Sequence, residues 1–148
     1  MSDPLYKKEI LRLAADAHGA GRLSGPHVTG TAHNPACGDK VIVDVAMEHG
    51  HIAALAHETK ACVLSQASAA ILGRDAKGFT QAQIRELREG VAAMLAEQAG
   101  APSPPFDSYA AFDGVAAHRN RHACVLLPID ALLAALDAAE ASAVGTEL

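Results

Sequence analysis

The sequence predicts an α+β fold, with a β-hairpin near the middle of the chain and helices on either side of it. Three observations predict it. Lys40-Val-Ile-Val-Asp-Val-Ala-Met47 is rich in β-branched residues and sets Asp44 among apolar neighbours on an alternating pattern. Glu48-His49-Gly50 supplies a turn, and His51-Ile-Ala-Ala-Leu-Ala-His57 can return as a second strand, although alanine is a poor strand former. Elsewhere the apolar residues recur at helical spacing.

The first helix is expected to start at Asp3-Pro4, with Asp as the cap and Pro in the first helical position. Tyr6, Ile10, Leu13, Ala14 and Ala17 make its apolar stripe, and Gly19 and Gly21 end it. Residues 22–33 read as a loop or a short extended piece broken at Gly25-Pro26. From Cys62 the period is helical again, with Val63, Ala67, Ala70 and Ile71 on one face and Gly73 as the stop. Thr80-Gln81-Ala82-Gln83 is a capping-box pattern, opening a helix that buries Ile84, Leu87, Val91, Met94 and Leu95. Gly100-Ala-Pro-Ser-Pro-Pro105 reads as a rigid loop, after which Phe106, Tyr109, Phe112 and Ala116 suggest another helix. Cys124 and Pro128 precede a last helix with Ile129, Leu132, Leu133 and Leu136 inward, and the tail from 141 to 148 is expected to fray.

Composition narrows the function classes. The 148 residues suit one domain, 1–148, able to bury a core without disulfides. Half the residues are apolar, but there is no Trp, so the core is built from small side chains that favour close helix packing. A net charge of −5 with no basic stripe argues against nucleic acid as a partner. No stretch reads as the ~20 apolar residues of a membrane span. The polar segment Met1 to Lys8 lacks a secretory signal's apolar core, so the expected location is cytoplasmic. An odd number of cysteines in a reducing compartment points to metal or thiol chemistry.

That chemistry centres on Asn34-Pro35-Ala36-Cys37-Gly38-Asp39, where a thiol and a carboxylate flank Gly38. The other two cysteines are Cys62 and Cys124. Any one cysteine alone reads as a small buried apolar residue. Three of them, each at an element boundary beside Gly, Pro or a cation, fit a site of three thiolates and one carboxylate for zinc or iron. Cys62 falls where a strand ends and a helix begins, a setting that favours a thiolate. Arg121 precedes Cys124 by three residues and, with His33 and His122, is a candidate neighbour of the metal. His18, His27, His49 and His51 read as surface residues, Ser65 and Ser68 as helix-packing residues, and the Arg85-Glu86, Arg88-Glu89 run as a solvated face.

These motifs resemble the U-type iron–sulfur cluster scaffold family, the IscU, SufU and NifU N-terminal-like proteins. The resemblance runs from Asn34-Pro-Ala-Cys37-Gly-Asp39, through Cys62-Val-Leu-Ser65-Gln-Ala-Ser68-Ala69, to Arg121-His-Ala-Cys124-Val-Leu-Leu127. The long interval between Cys62 and Cys124, with the Thr80–Gln98 helix inside it, is more similar to the SufU branch. The resemblance implies a small three-stranded antiparallel sheet with helices on one face and the metal site at one end, which needs residues 22–33 as a third strand. It also implies Cys37, Asp39, Cys62 and Cys124 as ligands of zinc, iron or a transient iron–sulfur cluster. Cys37 is the SufU-like persulfide acceptor and Cys124 the IscU-like one. The implied partners are a cysteine desulfurase and apo iron–sulfur acceptor proteins. The chain departs from the family pattern in Thr59 and Ala61, where glycines are usual, and in Ala123, where His or Lys is usual. His122 stands one place displaced, and the N-terminal family motif is barely visible in Asp16 to Arg22. A cluster scaffold is thus the leading expectation. A zinc-dependent sulfurtransferase, a structural zinc module and a metal-free thiol redox protein are the alternatives.

Overall fold

The sheet forms where the β-branched residues concentrate. The computed structural model describes residues 7–35 and 38–147, the side chains of 142–147 excepted, and contains an antiparallel sheet in the order β1-β2-β3. Strands β1 (Val28–Asn34), β2 (Asp39–Glu48) and β3 (His51–Lys60) follow one another in sequence. The β2–β3 turn has His49 at φ 53° and Gly50 at φ 79°, the doubly left-handed pair that matches strand twist in a two-residue hairpin. The expected third strand is β1.

Along β2 the side chains alternate. Val41, Val43 and Val45 are buried towards the helices, opposite Ala32, Gly30 and Val28 of β1. Asp44 points to the other face and is also fully buried, because the chain between α1 and β1 covers it. Burial alone would raise the Asp44 pKa. Hydrogen bonds outweigh it: Arg22 donates at 2.7 and 3.0 Å, Thr29 Oγ1 at 2.7 Å and the Leu23 N–H at 3.1 Å. The pKa is lowered from 3.8 to about 2.

Helix α1 spans Lys8–Asp16 and buries Ile10 and Leu13; its expected start at Asp3-Pro4, and Tyr6, lie outside the described residues. The segment after it runs along β3: the His57 N–H donates to Gly19 O at 2.9 Å and the Gly21 N–H to His57 O at 2.8 Å. The buried His57 ring donates from Nε2 to His18 O at 2.9 Å and meets Thr59 Oγ1 through Nδ1 at 2.9 Å. Burial lowers its pKa, against the opposing effect of the His18 bond.

Helix α2 (Val63–Asp75) passes through Gly73 instead of stopping there. A Cβ at Gly73 would lie 2.0 Å from His18 O, so this glycine serves a close backbone crossing with the α1–β1 segment. Helix α3 (Gln81–Leu95) has the expected capping box, with Thr80 and Gln83 exchanging hydrogen bonds, and buries the five expected residues. Its solvated face is not wholly free, since Arg85 and Arg88 reach Asp137 and Asp130 of the last helix at 2.7 and 2.5 Å.

The expected helix after the proline-rich loop is a 3₁₀ segment, Phe106–Ala117. Its buried residues Phe106, Tyr109, Phe112 and Val115 follow a strict three-residue period, so Val115 takes the inward place expected for Ala116. The last helix, α4, starts at His122, ahead of Pro128, and runs to Glu147, beyond the residue where fraying is expected to begin. The stretch Arg119–Ala141, which takes in most of α4, is long and apolar enough, by length and composition, to cross a membrane. This overturns the expectation that no stretch qualifies. The helix is instead the core of the domain, packed on β1, β2, α2 and α3. The small residues expected to permit close packing do so: Ala67 and Ala70 of α2 and Ala131 and Ala135 of α4 are fully buried.

Candidate metal centre

One end of the sheet gathers the starts of two helices. β2 begins and β3 ends there, with Lys40 paired to Lys60. Asp39 is the first residue of β2, opposite Asn34, and the turn before it is closed by the Gly38 N–H donating to Asn34 O at 2.9 Å. Gly38 adopts φ 73°, a left-handed conformation that glycine takes without strain. Cys62, after β3, is the N-cap residue of α2, and Cys124 is in the first turn of α4.

The carboxylate of Asp39 and the thiols of Cys62 and Cys124 all lie within 4.8 Å of one another. The three residues come from three different elements. Asp39 and Cys62 are half-buried, and Cys124 is 2 % exposed. Two soft sulfur donors and one oxygen at this spacing fit zinc or ferrous iron, and leave room in the donor set for a fourth ligand. Cys37, the expected fourth, lies outside the described residues.

The three candidate neighbours are placed differently. Neither His33 nor His122 belongs to the cluster of ligand atoms. His33 is exposed on β1, and His122 spends its Nε2 on Ala116 O at 3.0 Å. Arg121 is half-buried at the entrance to α4, its N–H donating to His118 O at 2.8 Å. The departures from the family pattern also have local roles. Thr59 holds the His57 ring, and Ala123 is exposed.

Sequence reasoning missed a link behind the thiols. Ser65 and Ser68 are fully buried on α2 and donate to Cys124 O and Val125 O of α4, each at 2.7 Å. Tyr109, its pKa raised by burial, adds its hydroxyl to Ser68 at 2.9 Å. The available signal was Pro128, four residues after Cys124 and without an N–H to offer its carbonyl.

The model of the NifU-like N-terminal domain matches residues 5–125. The chain belongs to that family. Among solved structures it is similar to the N-terminal part of a nitrogen-fixing NifU-like protein from Brucella abortus, at 34% identity and a TM-score of 0.88 over 94% of this chain and 96% of that one. A protein described as a candidate iron–sulfur cluster assembly scaffold for the SUF system, from Fervidobacterium islandicum AW-1, superposes with a TM-score of 0.80. At 23% identity over 89% of this chain and 96% of that one, it shows the shared fold. No functionally curated protein matches the sequence. At family level, the NifU-like assignment makes this a domain of iron–sulfur cluster assembly scaffolds.

Proposed function

We propose that this NifU-like domain accepts sulfur from a cysteine desulfurase and holds a nascent iron–sulfur cluster at Cys37, Asp39, Cys62 and Cys124 before passing it to apo acceptor proteins. The convergence of Asp39, Cys62 and Cys124 from three elements within 4.8 Å carries the proposal. Thiolates suit iron and sulfide, and the carboxylate is the harder, more exchangeable donor. The cluster is cargo, so a mixed donor set suits release better than four thiolates would.

The residues divide the work by position. Asp39 and Cys62 are half-buried, where an incoming ion meets them first. Cys124 lies deeper, 2 % exposed, and so is less open to a donor persulfide. Cys37 and Cys124 are the two acceptors to be distinguished.

The test is anaerobic incubation with a cysteine desulfurase and cysteine, read by intact mass, and then with ferrous iron and reduced ferredoxin as the electron donor that takes persulfide sulfur to sulfide, read by visible spectra. Added sulfur on a cysteine, a brown cluster and its transfer to an apo ferredoxin are expected. Cys37→Ser and Cys124→Ser tell which thiol receives the sulfur. A colourless protein that retains zinc, takes no sulfur and leaves desulfurase turnover unchanged contradicts the proposal.

A further inference from the structure

The geometry points to Ser65 as a positioning residue that sets the Cys62 and Cys124 thiols against each other. This rests on the reading above that the two thiols share one ion. In an α-helix, the carbonyl of residue 124 receives the N–H of residue 128. Here residue 128 is proline, inside α4, and has no N–H. The Ser65 hydroxyl occupies that role from another helix, donating to Cys124 O at 2.7 Å. The same oxygen is 3.8 Å from the Cys62 sulfur, one turn earlier on α2. One buried hydroxyl therefore touches both cysteine residues, and its proton is committed to the backbone of the second.

Two consequences follow from the chemistry. Loss of the hydroxyl removes a buried hydrogen bond between α2 and the turn that carries Cys124, and so loosens the placement of that turn against Cys62. An alanine at 128 would supply the missing N–H from within α4 and remove the need for Ser65. Ser68 is the internal control. It makes an equally short α2–α4 bond, but to Val125, whose helical donor at Ile129 has its N–H.

The experiment uses the full chain in a Cys37→Ser background, with chelator present, so that only Cys62 and Cys124 remain as thiols. Phenylarsine oxide, which must bridge two thiols, reports their relative placement without any metal. Ser65→Ala is expected to weaken its binding by about fivefold, the equivalent of one net hydrogen bond. Ser68→Ala should leave it unchanged, and Ser65→Ala/Pro128→Ala should return it to the parent value. Alanine is the best helix former, so the Ser65→Ala chain should fold, which its urea denaturation checks. In the protein with all three cysteines, Ser65→Ala should also weaken zinc binding by about 10–100-fold, the usual effect of losing a residue that orients ligands.

An unchanged arsenical affinity in Ser65→Ala overturns the proposal. So does an equal loss in Ser68→Ala, or a loss that Pro128→Ala fails to repair. If the parent protein binds neither zinc nor iron, the ion-sharing reading fails, while the arsenical results still decide the role of Ser65.

Discussion

Asp39 is the one oxygen donor beside two sulfurs among the described residues, and at the first residue of β2 it is half-buried. A carboxylate binds a soft centre less tightly than a thiolate, so under the proposed function this is the corner at which cargo would leave. Asp39→Cys should slow metal release to a chelator and lower cluster or sulfur delivery; equal rates with equal delivery would show that Asp39 is not the gate. Asp44 plays an unrelated, structural part on the far face of the sheet. Its pKa falls from 3.8 unfolded to about 2 folded, so its contribution is fully present above the unfolded value and lost as pH falls through the folded one. Between pH 5 and pH 2 the wild type should lose about 2 kcal/mol more stability than Asp44→Asn, measured by urea denaturation at each pH. Parallel pH curves for the two proteins would mean that the Arg22 and Thr29 bonds do not hold the charge.

At the scale of elements, α4 and β1 define how close the layers come. A Cβ at Gly30 would fall 2.2 Å from the Ala135 nitrogen and 2.5 Å from the Ala131 carbonyl oxygen, both backbone atoms that cannot turn aside. Gly30→Ala should therefore destabilise the domain by about 3 kcal/mol or more, seen as a lower urea midpoint. A change under about 0.5 kcal/mol, the size of an ordinary surface substitution, would show that this contact is not tight. The same glycine explains why β1 was hard to read. Val-Thr-Gly-Thr-Ala-His-Asn has little apolar alternation, because its inward positions hold a valine, a glycine and an alanine under a helix. By contrast, the β2–β3 hairpin and α3 were legible, since β-branched alternation and the Thr80–Gln83 box are local signals. Pro128 misled in the opposite direction. Proline normally ends a helix, but α4 continues through it with the Cys124 carbonyl served by Ser65.

For the whole molecule, the fold brings together residues far apart in the chain. Asp39, Cys62 and Cys124 meet because a strand start and two helix starts share one end of the sheet. The donor types were visible in the sequence, and their motifs resemble a family to which the chain belongs. What the sequence could not show was which histidines stay away: His122 is used by the 3₁₀ segment, and His33 points out from an edge strand. The most direct test of the proposed site is the number of thiolates on one bound ion. Cobalt(II) loaded without oxygen gives a near-ultraviolet thiolate-to-metal charge-transfer band whose intensity rises with each sulfur ligand. The proposed site requires one ion per chain, an equal stepwise loss of that band in Cys37→Ser, Cys62→Ser and Cys124→Ser, and a band retained in Asp39→Asn. A wild-type band that survives Cys62→Ser or Cys124→Ser undiminished would contradict it.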